Sequence, residues 1–205
     1  MADPRQADPR PSAVPRAAGS RLKLALIFAV CAAPVLGSYL SYYVVRPEGR
    51  TNYGVLLEPQ PSARDVRATA LDGTALPLSS LSGRWVMVSV DAGACDAACV
   101  DKLYAMRQVR LTTGKDRDRI ERVMLITDGA TPAAALRADY EGTVMARIDA
   151  AGASRLFPVP DAGRVADHVY MIDPLGNLMM RFPAGADPNR MKKDLARLLR
   201  ASRTG

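Results

Sequence analysis

The sequence has few of the residues that most often carry enzyme chemistry. It contains one histidine, His168, and three cysteines in 205 residues. Neither a Ser/His/Asp constellation nor a glycine-rich phosphate loop is present, so a hydrolase active site is not expected. Aromatic residues make up only 5% of the chain, and no basic patch interleaves with them as in single-strand binders. Nucleic acid is therefore not an expected partner.

One long segment has no charged residue. Residues 24–45 give 22 uncharged positions, enough helix to cross a hydrocarbon layer of about 30 Å. Arg21 and Lys23 precede this segment, and tyrosines gather near its other end, as at a membrane interface. Because the basic side stays in the cytoplasm, we expect a single-pass anchor in a bacterial-type inner membrane, with the N-terminus inside and the C-terminal domain in the periplasm. A cleaved signal peptide is the alternative, but its apolar run usually spans only about 7–15 residues.

The anchor divides the rest of the chain into three predicted parts. Residues 1–23 carry +3 of the net charge of +7 and are rich in Pro, Ala and Arg, which predicts a disordered cytoplasmic tail. Residues 46–62 contain three prolines and are predicted to be a linker. Residues 63–205 are predicted to form one exported domain, without an internal repeat of about 20–50 residues.

Strand and helix patterns alternate in the exported domain. The run at 85–91 is apolar enough for a central strand buried on both faces, and Asp72-Gly73 is a strong two-residue hairpin signal. Strands are predicted at 66–71, 75–78, 85–91, 123–127, 144–149, 169–172 and 178–182, helices at 96–113, at 131–140 and after Asp187, and an irregular stretch up to Val165. This order predicts an α/β, thioredoxin-like domain on a single N-terminal transmembrane helix.

Two cysteines follow directly after the predicted central strand. Cys95 and Cys99 are four residues apart, so on one helical turn their side chains share a face. The N–H groups and dipole at a helix N-terminus favour thiolates, which predicts a redox pair or a metal-binding pair. A structural disulfide is the alternative in an exported domain, although so short a loop gains little stability from a bridge. Cys31 lies in the apolar segment and has no predicted role.

The single histidine lies just before the predicted terminal hairpin. In a thioredoxin-like sheet this position adjoins the loop after the central strand, so His168 could meet Cys95 and Cys99, although a lone histidine is more often structural. Two thiolates with one imidazole suit Cu(I), whereas structural zinc usually takes four ligands and no fourth Cys or His is found. The strand spacing of three nearby methionines indicates core packing rather than copper ligation: Met171, Met179 and Met180.

These motifs together resemble the Sco/SenC proteins, which are thioredoxin-fold copper chaperones of cytochrome c oxidase assembly. The resemblance covers most of residues 63–182. It rests on the anchor and on three motifs: Cys95-x-x-x-Cys99, Asp167-His168, and Tyr170-x-Ile172-Asp173-Pro174-x-Gly176.

The resemblance implies a copper ion as the bound metal. By it, Cys95, Cys99 and His168 would bind copper and Asp167 would support the histidine. The implied partners are copper donors and the copper-bearing subunit of cytochrome c oxidase, which makes the protein a metallochaperone rather than an enzyme.

The chain departs from the usual family pattern beside the candidate ligands. Asp96 and Val100 follow the two cysteines where the family usually has proline, and Val169 follows the histidine. These differences indicate a divergent member. Two other classes stay open: a thiol–disulfide oxidoreductase that keeps the oxidase copper-site cysteines reduced, and a non-catalytic assembly scaffold.

Overall fold

The computed structural model describes residues 18–40, 43, 52–160 and 163–202. The chain divides into two compact units, Met1–Arg50 and Thr51–Gly205. The first unit contains helix α1 (Ala18–Leu40), and its stretch Arg21–Leu40 is long and apolar enough to cross a membrane. This helix is the candidate single-pass anchor that the uncharged segment predicts.

The predicted boundaries around the anchor fall partly outside the described residues. Helix α1 begins at Ala18, inside the predicted tail, while residues 1–17 are not described. Residues 41, 42, 44 and 45 of the predicted span are likewise outside the described residues. Tyr39 and Tyr43 are described, and their ring centroids lie 4.4 Å apart.

The second unit is built on one mixed, eight-stranded sheet with the order β1-β8-β7-β4-β5-β6-β2-β3. Its central strand β4 pairs in parallel with β5 and antiparallel with β7. The strands are β1 (Val55–Leu56), β2 (Arg67–Ala70), β3 (Ala75–Pro77), β4 (Trp85–Asp91), β5 (Ile120–Ile126), β6 (Val144–Arg147), β7 (Val169–Ile172) and β8 (Leu178–Phe182).

Helices cover the sheet, and apolar side chains fill both of its faces. Successive residues of β4 enter different clusters because strand side chains alternate: Val88 packs in the cluster that holds Tyr170, and Met87 in the cluster that holds Val109 and Leu195. The helices of this unit are α2 (Ala97–Thr112), α3 (Ala134–Asp139), α4 (Ala150–Leu156) and α5 (Pro188–Ala201).

The strand register brings three connections to the same end of the sheet, where β4 and β5 finish and β7 begins. Ser89 of β4 is opposite Val169 of β7, and Asp91 is aligned with Ile126 of β5. The connection after β4, the connection after β5 and the turn before β7 therefore meet at this end of the sheet. A hydrogen bond joins the first two of them: Gly93 N–H donates to Asp128 Oδ1 at 2.9 Å.

Local structure differs from the sequence prediction at both short helices. The helix predicted from residue 131 begins only at Ala134, after Ala133, which supplies no side-chain cap, and the Thr131 hydroxyl accepts a bond from Arg147 at 2.9 Å. The stretch predicted to be irregular contains α4, whose N-terminus is capped by Asp149 through the Gly152 N–H at 3.0 Å. Asp149 therefore caps the start of α4, whereas α3 begins without a side-chain cap.

The folded unit also begins earlier than the predicted boundary at residue 63. Strand β1 lies inside the predicted linker and pairs with β8, with Val55 opposite Arg181. The N–H of Gly54 donates to the buried Asp194 carboxylate at 2.8 Å, and Leu57 is buried. Residues 52–62 therefore belong to the folded unit, because the edge of β8 offers them backbone partners.

Candidate thiol and metal site

Cys95 and Cys99 form a disulfide where β4 leads into α2. The Cys95 N–H donates to the Ala92 carbonyl at 3.1 Å, which closes a turn before the helix. Cys95 has a φ of 44°, a left-handed conformation that non-glycine residues seldom adopt. The pair is thus held in a turn of unusual backbone conformation at a helix N-terminus.

The N-terminus of α2 is the electrostatic setting of the pair. Asp96 caps the helix, and its carboxylate accepts the Cys99 N–H at 3.0 Å. Cys99 is buried and Cys95 is partly exposed, so the two sulphur atoms differ in access to solvent. The helix dipole at this end favours a thiolate once the disulfide is reduced.

His168 is a buried residue with one ring nitrogen that is hydrogen-bonded and one, Nε2, that has no hydrogen-bond partner among the described residues. Its Nδ1 lies 2.9 Å from the Phe182 carbonyl oxygen, and because a carbonyl only accepts, Nδ1 must carry the proton. Its Nε2 then presents a lone pair, and this buried atom has no hydrogen-bond partner among the described residues. Burial lowers the pKa of His168, against a smaller opposing effect of the Phe182 bond, which keeps the ring neutral near pH 7.

This arrangement fits a metal-ligating histidine. Such residues almost always donate the second ring N–H to a carbonyl, a carboxylate or water, which fixes the tautomer and the ring orientation. Gly163 lies beside Nε2 in this structure: the Cβ of any other residue at position 163 would lie only 3.3 Å from this nitrogen.

Asp167, which the resemblance implies supports His168, is hydrogen-bonded to Arg164 in this structure. The Asp167 carboxylate accepts from Arg164, through the backbone N–H at 2.9 Å and the guanidinium at 2.8 Å. These bonds from Arg164 lower the pKa of Asp167. The partner that holds the imidazole is the Phe182 carbonyl, because β7 and β8 pair at this point, with Val169 opposite Phe182.

The three expected copper ligands do not form a metal-binding group in this oxidised structure. Within the described residues, no three His, Cys, Asp or Glu side chains are arranged to hold a metal ion. Both sulphur atoms are committed to the disulfide. The donor types still suit Cu(I), and the sheet places the turn that carries His168 beside the connection that carries the cysteines.

Residues 85–202 match the family model described as a transmembrane-like, thioredoxin-like, C-terminal domain. The chain belongs to this family. The matched segment of this thioredoxin-like domain begins at β4 and ends after α5, so it includes both cysteines and His168. No curated protein matches the chain.

Solved structures of Sco proteins share the fold of this thioredoxin-like domain. ScoI of Bradyrhizobium japonicum with copper bound is 19% identical, with a TM-score of 0.50, and the match covers 64% of this chain and 96% of that one. Apo Sco1 of Thermus thermophilus is 15% identical, with a TM-score of 0.58 and coverages of 74% and 99%. Yeast Sco1 with copper bound is 13% identical, with a TM-score of 0.51 and coverages of 74% and 90%. The predicted thioredoxin-like fold is confirmed, and the Sco resemblance is confirmed at the level of the fold.

A buried ion pair, which the sequence analysis does not predict, joins the end of β4 to α2 beside this site. Lys102 Nζ donates to Asp91 Oδ1 at 2.6 Å, with 9% and 6% of the two side chains exposed. Lys102 Nζ also donates to the carbonyl of Ala166, two residues before His168. Burial raises the pKa of Asp91, and Lys102 opposes this effect.

Two features of the sequence could have drawn attention to this pair. Asp91 ends a buried strand that is apolar except for Ser89, and Lys102 follows Cys99 by three residues, on the same helical face. A charge at each of two buried positions is rarely found unless the charges are paired.

Proposed function

We propose that this protein is a membrane-anchored, copper-binding assembly factor that delivers copper to the copper site of cytochrome c oxidase. The observation that supports this most directly is the uncommitted Nε2 lone pair of His168. His168 directly follows the turn Val165–Asp167, which adjoins the segment between β4 and α2 that carries the cysteines. Two thiolates and one imidazole form a donor set that suits Cu(I).

The disulfide must be reduced before the site can hold copper. A dithiol donor would supply two electrons and two protons by thiol–disulfide exchange, leaving Cys95 and Cys99 as thiols. The α2 N-terminus favours their thiolates, and metal binding releases the remaining thiol protons. His168 would then supply a neutral nitrogen without first losing a proton. Copper is the cargo, passed on by exchange of its ligands.

The candidate anchor helix supports a location beside a membrane-bound acceptor. We propose that it crosses a bacterial-type inner membrane with the N-terminus inside, which puts the unit Thr51–Gly205 in the periplasm. Tethering raises the effective concentration of the domain at a partner in the same membrane. The proposed partners are the copper-bearing oxidase subunit and a copper donor.

A comparison of three variants in a strain that lacks the native gene tests this function. His168→Ala and the pair Cys95→Ser/Cys99→Ser should each leave the oxidase copper site unfilled, as measured by oxidase activity and copper content. Cys31→Ser, which leaves the candidate site unchanged, is the matched control and should restore both. Full oxidase activity in cells that carry His168→Ala would contradict copper delivery through this site.

A thiol–disulfide oxidoreductase is the second candidate, and the disulfide itself favours it. Such a protein needs Cys95 and Cys99 but not His168. If His168→Ala abolishes copper binding yet supports oxidase assembly as well as the native protein does, the reductase function replaces the chaperone function.

A further inference from the structure

Lys102 connects three segments that surround the candidate site. Its ammonium group contacts the Asp91 carboxylate at the end of β4 and the Ala166 carbonyl in the turn Val165–Asp167. Its backbone belongs to α2, three residues after Cys99. One buried cation therefore joins the strand before the cysteines, the helix that carries Cys99 and the turn before His168.

We propose that Lys102, paired with Asp91, is a positioning residue that holds the turn preceding His168 against the helix that carries Cys99. This inference rests on the proposed copper-binding function for its consequence, but not for the contact itself. It concerns the geometry of the ligand set rather than the identity of a ligand.

The hydrogen bonds of the turn show why this contact has a distinct role. The Asp167 carboxylate and the Asp167 and His168 N–H groups bond to Arg164 and Val165, within the turn itself. The His168 ring bonds to Phe182 on β8. Within the part of the chain that the structure describes, Lys102 is the side chain of α2 that hydrogen-bonds to this turn.

The ion pair with Asp91 fixes where the ammonium group lies. A lysine side chain has a flexible four-carbon stem, and ordering it carries an entropic cost. Asp91 is held in the central strand by pairing with β5, so its carboxylate is a rigid anchor for Nζ. The bond to Ala166 then transmits that fixed position to the turn.

A purely structural ion pair is the competing explanation, and a neutral pair separates the two. Lys102→Met alone would leave the buried Asp91 carboxylate without its partner and could unfold the protein. Asp91→Asn/Lys102→Met removes both charges, so it leaves no unpaired charge in the core while it loses the bond to Ala166. Lys115→Met, at an exposed lysine beyond the C-terminus of α2, is the matched control.

The first measurement is amide hydrogen exchange of the copper-free, full-length protein in detergent. We expect the Asp167 and His168 amides to exchange faster in the neutral-pair variant by a factor at least about tenfold greater than any acceleration of the β4 and β5 amides, while the Lys115→Met protein remains unchanged. Unchanged exchange in the turn would overturn the proposal, and so would equal acceleration throughout the sheet.

The second measurement is Cu(I) affinity of the reduced, full-length protein, by competition with a chromophoric chelator. Partners that orient a metal ligand typically change affinity about 10- to 100-fold, so the neutral pair should lose at least about tenfold. In a His168→Ala background the same substitution should have no further effect, because it acts through the histidine. An equal loss in both backgrounds would overturn the positioning role.

The two measurements keep the two ideas distinguishable. If the native protein binds no Cu(I), the proposed function fails, and the exchange result alone decides whether Lys102 holds the turn. If the native protein binds Cu(I) and the neutral pair binds it equally well, the positioning role fails and the proposed function stands.

Discussion

Reduction of the Cys95–Cys99 disulfide is expected to change the stability of the folded domain only slightly. The two residues are four positions apart, and the chain-entropy relation gives about 2 kcal/mol for a loop this short. A loop of about 100 residues would give about 4.7 kcal/mol by the same relation. A bridge that contributes so little is better suited to reversible chemistry than to holding the fold together.

The backbone of Cys95 reduces this contribution further. Its φ of 44° lies in a region that costs a non-glycine residue roughly 1–2 kcal/mol. Any relaxation of Cys95 from that conformation on reduction would offset part of the stability lost with the cross-link. We therefore expect the free energy of unfolding to fall by no more than about 2 kcal/mol on reduction.

Urea unfolding of the full-length protein in detergent measures this difference directly. The chain has one tryptophan, Trp85, which is buried in β4, so its fluorescence reports on the domain and not on α1. Oxidised and reduced samples should be compared in a Cys31→Ser background, with Cys95→Ser/Cys99→Ser as a reductant-free check. If reduction lowers the free energy of unfolding by more than about 4 kcal/mol, or unfolds the domain, a reversible redox role for the cysteines is refuted and a structural disulfide is supported.

Three further outcomes follow from the buried residues. Lys102→Met leaves the Asp91 carboxylate buried and unpaired, so it should lower the free energy of unfolding by about 3–5 kcal/mol, and Asp91→Asn/Lys102→Met should recover most of that loss; equal losses in urea unfolding would contradict the pairing argument. Because burial lowers the pKa of His168 below its usual 6.5, the unfolded chain takes up a proton that the folded one does not. Copper-free stability should therefore fall as pH drops below about 6.5, and His168→Gln should flatten that part of the curve; an identical pH dependence in both proteins would contradict it. Met171 is fully buried, so Met171→Leu should change stability by less than about 1.5 kcal/mol and leave Cu(I) affinity unchanged, whereas a tenfold loss of affinity would identify it as a ligand.

Features set by local chemistry could be predicted from the sequence. The predicted hairpin at Asp72-Gly73 is confirmed, although its loop has three residues rather than two, since the Ala70 N–H donates to the Thr74 carbonyl at 2.8 Å. The deciding contacts are local: the Asp72 carboxylate accepts the Thr74 N–H at 2.9 Å, and Gly73 adopts a φ of 91°. The start of α2 also follows from one residue, since Asp96 caps it. In each case the deciding atoms lie within a few residues of one another.

Features that depend on distant partners could not be predicted. The partner of the His168 ring is a backbone carbonyl of β8, and only the sheet register brings Phe182 to it. The ion pair of Asp91 with Lys102 likewise requires α2 to pack over the end of β4. Strand β1 lies in the segment that the sequence predicts as a linker, because two residues, Val55–Leu56, are too few to show an alternating pattern.

Copper titration of the reduced, full-length protein in detergent tests the central claim most directly. The account predicts that the native protein binds one equivalent of Cu(I), that His168→Ala weakens binding by at least about tenfold, and that Cys95→Ser/Cys99→Ser abolishes it. Absence of Cu(I) binding by the native reduced protein, or binding unaffected by either variant, would contradict the account.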